Sequence, residues 1–431
     1  MDFSFAKSVR FWKLFFVGMT AGLNIPLPGN PWLQGLAVAV GPITGGALLN
    51  GFWWGSIFLA MVPVALIAML FVALLVPTSR DPSVAPLDKP GLLLSIVGLG
   101  ALVFTIIEAP GHGWMSARTL GGFGFAASVL VVFVVVERRT VHPMLDVSLF
   151  NNLRFSAASG AVAIAFFSLF GFMFLTTQYF QFAKGYSALS TGVRMLPVAI
   201  AVGVMAIVGT QLAVTLGNRL VISTGLGIMT VGFLWFSADT STTSYLVIAA
   251  QMVVTGIGIG LTSSPATEAI MDVVPAHQAG VGSAVNDATR EIGGTLGVAV
   301  MGSLFMSLYA SSIDGLVTGG AVTDAVRGVA RGSLGAAQEV VAQLSNAGHA
   351  AGARPILDAA NDGFVAGFSA CSLLAAGVTL VGCVAAAILL PGPLHRGADE
   401  PELDLAGAER AEARAATHHA RALDDLLPTR Y

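Results

Sequence analysis

Trp32-Leu33-Gln34-Gly35-Leu36-Ala37-Val38-Ala39-Val40-Gly41-Pro42-Ile43-Thr44-Gly45-Gly46 places three of its glycines and a proline at Gly41–Gly46, inside an apolar run. In a helix exposed to water each such glycine costs about 1 kcal/mol against alanine, and the proline about 3. In a bilayer the balance changes. Small residues let two helices approach closely, and a proline bend is tolerated because neighbours satisfy the freed backbone groups. The stretch therefore reads as a membrane helix built for close packing.

The rest of the chain agrees. Of 431 residues, 55% are hydrophobic and 10% charged, and the mean hydropathy is +0.80. Soluble domains average about 25% charged residues, so the expected fold class is all-α and polytopic. A net charge of −3 carries no partner information, because the charges lie in loops and tails. No pattern points to nucleic acid. Cys371 and Cys383 lie twelve residues apart in one apolar run, roughly 18 Å along a helix, too far for a disulfide. No metal or cofactor spacing occurs, and serine, histidine and acidic residues form no hydrolase pattern, so an enzyme is not expected.

About 20 apolar residues cross a bilayer as a helix. By that rule ten spans are predicted, at about 32–50, 55–76, 91–109, 119–136, 155–182, 190–214, 219–237, 244–270, 285–309 and 363–390. With the N-terminus cytoplasmic, 15 of the 21 lysines and arginines fall on the inner side, as the positive-inside rule requires. Both termini are then cytoplasmic, in a plasma (inner) membrane. Residues 1–31 form an atypical segment: Phe11 to Leu23 is apolar but short, and Asn24 to Pro31 is no signal-peptide cleavage site. The preferred expectation is a translated stretch that joins the true frame near Leu33.

Gly41-Pro42-Ile43-Thr44-Gly45-Gly46 resembles the antiporter motif of major facilitator superfamily (MFS) drug:proton exporters, with Gly41, Pro42, Gly45 and Gly46 as its signature. Trp53-Trp54-Gly55 through Pro63 resembles the turn that follows that helix in the fourteen-span subfamily of EmrB/QacA type, where Trp-Arg is more usual. Gln178-Tyr179-Phe180-Gln181, Gly185-Tyr186-Ser187, Gly192 and Pro197 are similar to its first C-terminal hairpin. Gly280-Val281-Gly282-Ser283-Ala284-Val285-Asn286, Arg290, Gly293, Gly294 and Gly297 are similar to its penultimate helix.

That resemblance implies an MFS-like bundle of about ten helices. It divides into a two-helix remnant of the N-terminal bundle (32–76), two inserted helices (91–136), a C-terminal six-helix bundle (155–391) with an outer loop at 310–362, and a cytoplasmic tail (392–431). In the family the motif lies in the fifth helix; here it lies in the first predicted one. The family's embedded aspartate, its basic glycine-aspartate loop and its coupling arginine find no counterpart, so four helices are expected to be missing. The implied function is proton-coupled efflux of amphipathic drugs by alternating access, with the lipid bilayer, a small organic substrate and protons as partners. The alternative is a truncated, non-transporting remnant or helper subunit, whose partner subunit would be unknown. No Walker motif supports ATP drive.

Intramembrane charge is the default pointer to function. Glu268 and Asp272 are four apart near the cytoplasmic end of one span, and Asp287, Arg290 and Glu291 open the next. Glu268 and Asp272 lie on one helical face, and the spacing of Asp287, Arg290 and Glu291 lets those three share a polar patch. Two readings stay open: a solvated helix start, or a cytoplasmic gate or proton relay between the two spans. Glu108 and Glu137 read as interfacial residues that snorkel to water. For a substrate cavity the candidates are Gln178, Tyr179, Gln181, Gln211 and Gln251, because polar groups avoid lipid. The phenylalanines from Phe166 to Phe182 point all round their helix and read mostly as packing. Gly256-Ile257-Gly258-Ile259-Gly260 lies within a span and reads as helix packing rather than a nucleotide loop.

Overall fold

The computed structural model describes residues 41, 43–75, 88–140, 143–274, 279–315, 324–346 and 350–390. Every regular element among them is helical. A helical stretch over 43–51 precedes α1 (Ser56–Leu75), α2 (Lys89–His112) and α3 (Ala117–Glu137). Then come α4 (Leu153–Gln178), a short α5 (Ala188–Arg194) running into α6 (Leu196–Leu216), α7 (Asn218–Phe236), α8 (Tyr245–Met271) and α9 (Ala279–Asp314). The short α10 (Asp324–Ala330) and α11 (Leu334–Asn346) lead to α12 (Ala350–Leu389).

Eight of the described helical segments are long and apolar enough to cross a membrane. They coincide with the eight spans predicted from 91 onward. The span at 55–76 is matched by the 20-residue α1. The predicted span at 32–50 lies largely outside the described residues, as do segment 1–31, Pro42 and the tail 392–431. Helices α9 and α12 run past their predicted ends, to Asp314 and back to Ala350. Hydropathy marks only the part of a helix that meets lipid. The 37 residues Ala353–Leu389 span about 55 Å at 1.5 Å per residue, well beyond a hydrocarbon core of about 30 Å.

Helix α4 is central, packed on α9, α8 and α12, with α6 on α8 and α7 on α8 and α12. Helices α2 and α3 form an antiparallel hairpin that meets the bundle through α2 on α9. Glycine sets the closest approaches. A side chain at Gly293 would strike the Ala163 backbone, and one at Gly297 the Phe167 carbonyl, so α9 lies against bare α4 backbone. The predicted packing role of the glycine run on α8 is also seen. Gly256 and Gly260 abut the α6 backbone, while Gly258 abuts Gly225 and Met229 of α7. One strip of small residues thus seats α8 between two neighbours.

Aromatic rings fill the space that glycine does not close. Phe172 packs on Phe233 and Phe236 at ring-centre distances of 5.9 and 4.8 Å, and Tyr179 on Phe368 at 5.1 Å. The polar region at 310–362 is tied down by a few bonds. Tyr309 Oη donates to the Ala330 carbonyl (3.0 Å), Gln338 Nε2 to the Phe182 carbonyl (2.9 Å), and Arg331 pairs with Asp314 (3.3 Å). Val340 is buried, and α11 packs on α12, as the near-helical spacing of Val340, Val341 and Leu344 suggests.

Candidate functional site

Helix α2 continues through Pro110 instead of ending there. Proline has no N–H, so the Ile106 carbonyl four residues earlier loses its helical donor. Ser303 on α9 supplies the replacement: its buried hydroxyl donates to Ile106 O at 2.6 Å. Trp114 Nε1 donates to Ser307 Oγ at 3.1 Å one turn further along α9. These two bonds fix α2 beside α9.

Between α2, α4 and α9 lies a cavity of about 720 Å³, within the size range of small-molecule sites. Its walls are apolar. Ile107 and Pro110 come from α2, Phe170 and Phe174 from α4, and Val298 and Met306 from α9. Glu291 is the one charged residue in the lining. Glycines 294 and 302 face the Phe170 and Phe174 rings and leave room beside them. An apolar chamber with a single carboxylate suits an amphipathic molecule bearing a positive charge.

The five candidate proton or gate residues have different surroundings. Arg290 turns toward α8, where Nη2 donates to Thr267 Oγ1 (2.8 Å) and the guanidinium lies over the Phe166 ring at 5.1 Å. Asp287 interacts electrostatically with Arg290. Asp272 pairs with Arg154 of α4 at 2.9 Å, a partner the spacing on α8 and α9 gave no hint of. Glu268 is exposed, near Thr210 of α6. Glu291 alone faces the cavity.

The predicted substrate-cavity residues lie elsewhere. Tyr179 is buried and its hydroxyl donates to Thr240 O at 2.6 Å. Gln251 is fully buried, and Nε2 donates to Asp239 Oδ1 (2.9 Å) and Trp235 O (3.2 Å). Gln178 and Gln181 are half-buried and Gln211 is exposed; none of the five lines the 720 Å³ cavity. Of the motif glycines, Gly46 abuts the Ala188–Leu189 backbone at the start of α5, whereas Gly41 and Gly45 face open space among the described residues.

Sequence reasoning missed Asp239. It sits between α7 and α8, only 5% exposed, with Oδ2 lacking a hydrogen-bond partner. Burial pushes its carboxyl above the ordinary 3.8, against the pull of the Gln251 bond, Lys184 and Thr243. Burial also lowers the Lys184 ammonium, whose Nζ donates to Ser241 O (2.7 Å) and Thr243 O (2.6 Å). Glu137 does not snorkel as expected. It is 2% exposed because the chain turns back over it, and Oε2 accepts the Leu145 amide at 3.1 Å. Glu108 does stay at the surface, 3.3 Å from His112. No group of three or more metal-ligating side chains occurs among the described residues.

The model of the Major Facilitator Superfamily matches residues 32–298. "Multidrug efflux pump LfrA" of Mycolicibacterium smegmatis is 32% identical over 342 residues, 79% of this chain and 66% of that protein. "Methyl viologen resistance protein SmvA" of Salmonella typhimurium is 31% identical over 330 residues, covering 76% and 65%. "Multidrug resistance protein Stp" of Mycobacterium tuberculosis is 32% identical over 282 residues, covering 65% and 52%. The chain thus spans between about half and two thirds of the length of these curated relatives.

Proposed function

This chain belongs to the Major Facilitator Superfamily, and from that premise we propose that it serves proton-coupled efflux of amphipathic small organic molecules. We assign it to the fourteen-span branch, in the inner membrane with both termini cytoplasmic. The observation that carries the reading is the apolar 720 Å³ chamber with Glu291 as its one charged residue. The multidrug-resistance names of the relatives support it. Alternating access moves such a chamber between the two sides of the membrane. Gly46 against α5 is a close-packed contact able to resist leak between helices. The Arg290–Thr267 bond and the Arg154–Asp272 pair join α8 to α9 and to α4, where a gate would act.

The test is efflux of a lipophilic cationic dye from cells expressing the chain, with and without a protonophore. Transport that collapses with the protonophore supports the reading, and accumulation equal to that of empty cells rejects it for a non-transporting membrane component. Within an active protein, Glu291→Gln is expected to weaken export of the cation at least tenfold, about 1.4 kcal/mol, and to spare a neutral amphiphile. Glu268→Gln is expected to remove the pH dependence of export while leaving membrane insertion intact.

A further inference from the structure

The base of the α2–α3 hairpin holds two acids packed against each other. Asp88 caps α2, its Oδ1 accepting the Gly91 amide at 2.9 Å. Glu137 ends α3, and its Oε2 accepts the Leu145 amide at 3.1 Å. Each acid has one oxygen engaged and one left over. The spare atoms, Asp88 Oδ2 and Glu137 Oε1, are buried with no hydrogen-bond partner. Both converge on Gly91, where an added Cβ would collide with the two of them. The carboxyl groups are within hydrogen-bonding reach of each other, and the residues are 8% and 2% exposed.

No cation among the described residues pairs with either of them. Lys89, Arg138 and Arg139 flank the acids in sequence but are exposed, and no ion pair among the described residues reaches either carboxyl. Asp146, on the connector after α3, is held by the amide and hydroxyl of Ser148. A divalent cation is a poor occupant, since it needs about six oxygen ligands and the spare oxygens are two. Two facing carboxylates in a buried site cannot both stay ionised cheaply. One proton resolves the geometry: it gives one oxygen an O–H and leaves the other as its acceptor, a short charge-assisted bond.

We propose that Asp88 and Glu137 form a proton-binding site, sharing one proton between Asp88 Oδ2 and Glu137 Oε1, and that the bound proton latches the base of the hairpin to the connector that leads into α4. The proton leaves to bulk water as the pH rises. The pair then carries two negative charges and the latch opens. The site is separate from the chamber at Glu291 and does not depend on what that chamber binds. The proton lies between the two spare oxygens, so its release belongs to the pair and not to either residue.

The experiment uses the full chain in lipid nanodiscs. Infrared difference spectra between low and high pH are recorded for the native protein, Glu137→Gln and Asp88→Asn. One protonated-carboxyl band is expected to disappear on raising the pH, and to be absent from both variants. Amide exchange at Leu145, corrected for its intrinsic pH dependence, is expected to accelerate by up to tenfold per pH unit as the pH climbs toward the release, the slope for one proton, and to level off above it. In Glu137→Gln the amide side chain donates permanently to Asp88, so Leu145 protection should become independent of pH. Asp88→Asn provides the same permanent donor from the other side, which covers a folding failure of either single variant. A band that survives in both variants, or variant exchange profiles that track the native one, overturns the proposal.

Discussion

The α2–α3 hairpin and the α4–α9 bundle have similar hydropathy, 2.3 in each hairpin helix and 1.5 to 2.1 in the bundle, yet they are built differently. In α3 only 11% of the most apolar stretch is buried within the protein, against 50% in α4 and 56% in α7 and α8. Hydropathy therefore does not say which helix is core. The bundle is held by bare backbone at glycines and by interleaved rings. The hairpin's own glycines, Gly98 and Gly122, meet the Leu130 and Thr105 side chains rather than bare backbone. It is held besides at polar points: the Asp88–Glu137 base, the Ser116 and Thr119 cap beside Gly113, and the bonds that Ser303 donates to Ile106 and Trp114 donates to Ser307. Where lipid is as apolar as leucine, the difference lies in shape complementarity and hydrogen bonding.

The sharpest way to break this contrast is one substitution made in both places. Gly297→Ala drives a methyl group onto the Phe167 carbonyl, an overpacking expected to cost about 1–3 kcal/mol. Gly124→Ala on α3 meets nothing within 4 Å, so it is expected to be neutral or slightly stabilising, by up to ~1 kcal/mol of helix propensity. Thermal unfolding in detergent reads both. Equal effects would mean that glycine packing does not distinguish the two regions.

Next in size is the joint between them. Ser303→Ala removes the donor that replaces the missing Pro110 N–H and leaves the Ile106 carbonyl bare. A loss of about 1–3 kcal/mol is expected, localised to the hairpin, and exchange at α2 amides should rise before exchange in α8. A uniform rise across both helices would show that hairpin and bundle open together.

The bundle carries its own polar flaw, and it should be visible in pH. Burial raises the Asp239 carboxyl above 3.8. A raised acid contributes stability that is complete below the unfolded value and lost as the pH climbs through the folded one. Asp239→Asn can donate to Gln251 Oε1, which also lacks a partner, while still accepting from Nε2. The variant is expected to flatten this slope and to gain about 1 kcal/mol at neutral pH. Melting temperatures measured from pH 4 to pH 8 test it; a variant less stable than the native protein at pH 8 would rule out the flaw.

Much of this architecture is legible in the sequence because apolar length is a local property. The spans from 91 onward need no tertiary information, and the glycine run at 256–260 reveals close approach by composition alone. The candidate site is less legible, since it depends on which faces meet. Phe170 and Phe174 face the chamber, whereas Phe172 and Phe180 are core, a sorting that helical period allows only once the neighbours are known. Asp239 was invisible because it reads as a loop residue. Its burial arises when Gln251, twelve positions later, folds back onto it. Glu137 was misread for the same reason: the turn that buries it comes after the helix ends.

The smallest expected effect lies at the end of α8. Arg154 and Asp272 meet at 2.9 Å with a good single hydrogen bond, but their side chains are 28% and 58% exposed. Water and salt screen such a pair, and holding two flexible side chains offsets part of its attraction, so Arg154→Ala should cost no more than about 1 kcal/mol. Arg290, by contrast, is mostly buried over Phe166 and bonded to Thr267, and its removal strips a neighbour from Asp287. A double-mutant cycle across Arg154 and Asp272 should give a coupling that fades in 1 M salt. Coupling above ~2 kcal/mol that resists salt would instead place this pair in a desolvated joint between α4 and α8, and would make the bundle, like the hairpin, dependent on a polar clasp at its end.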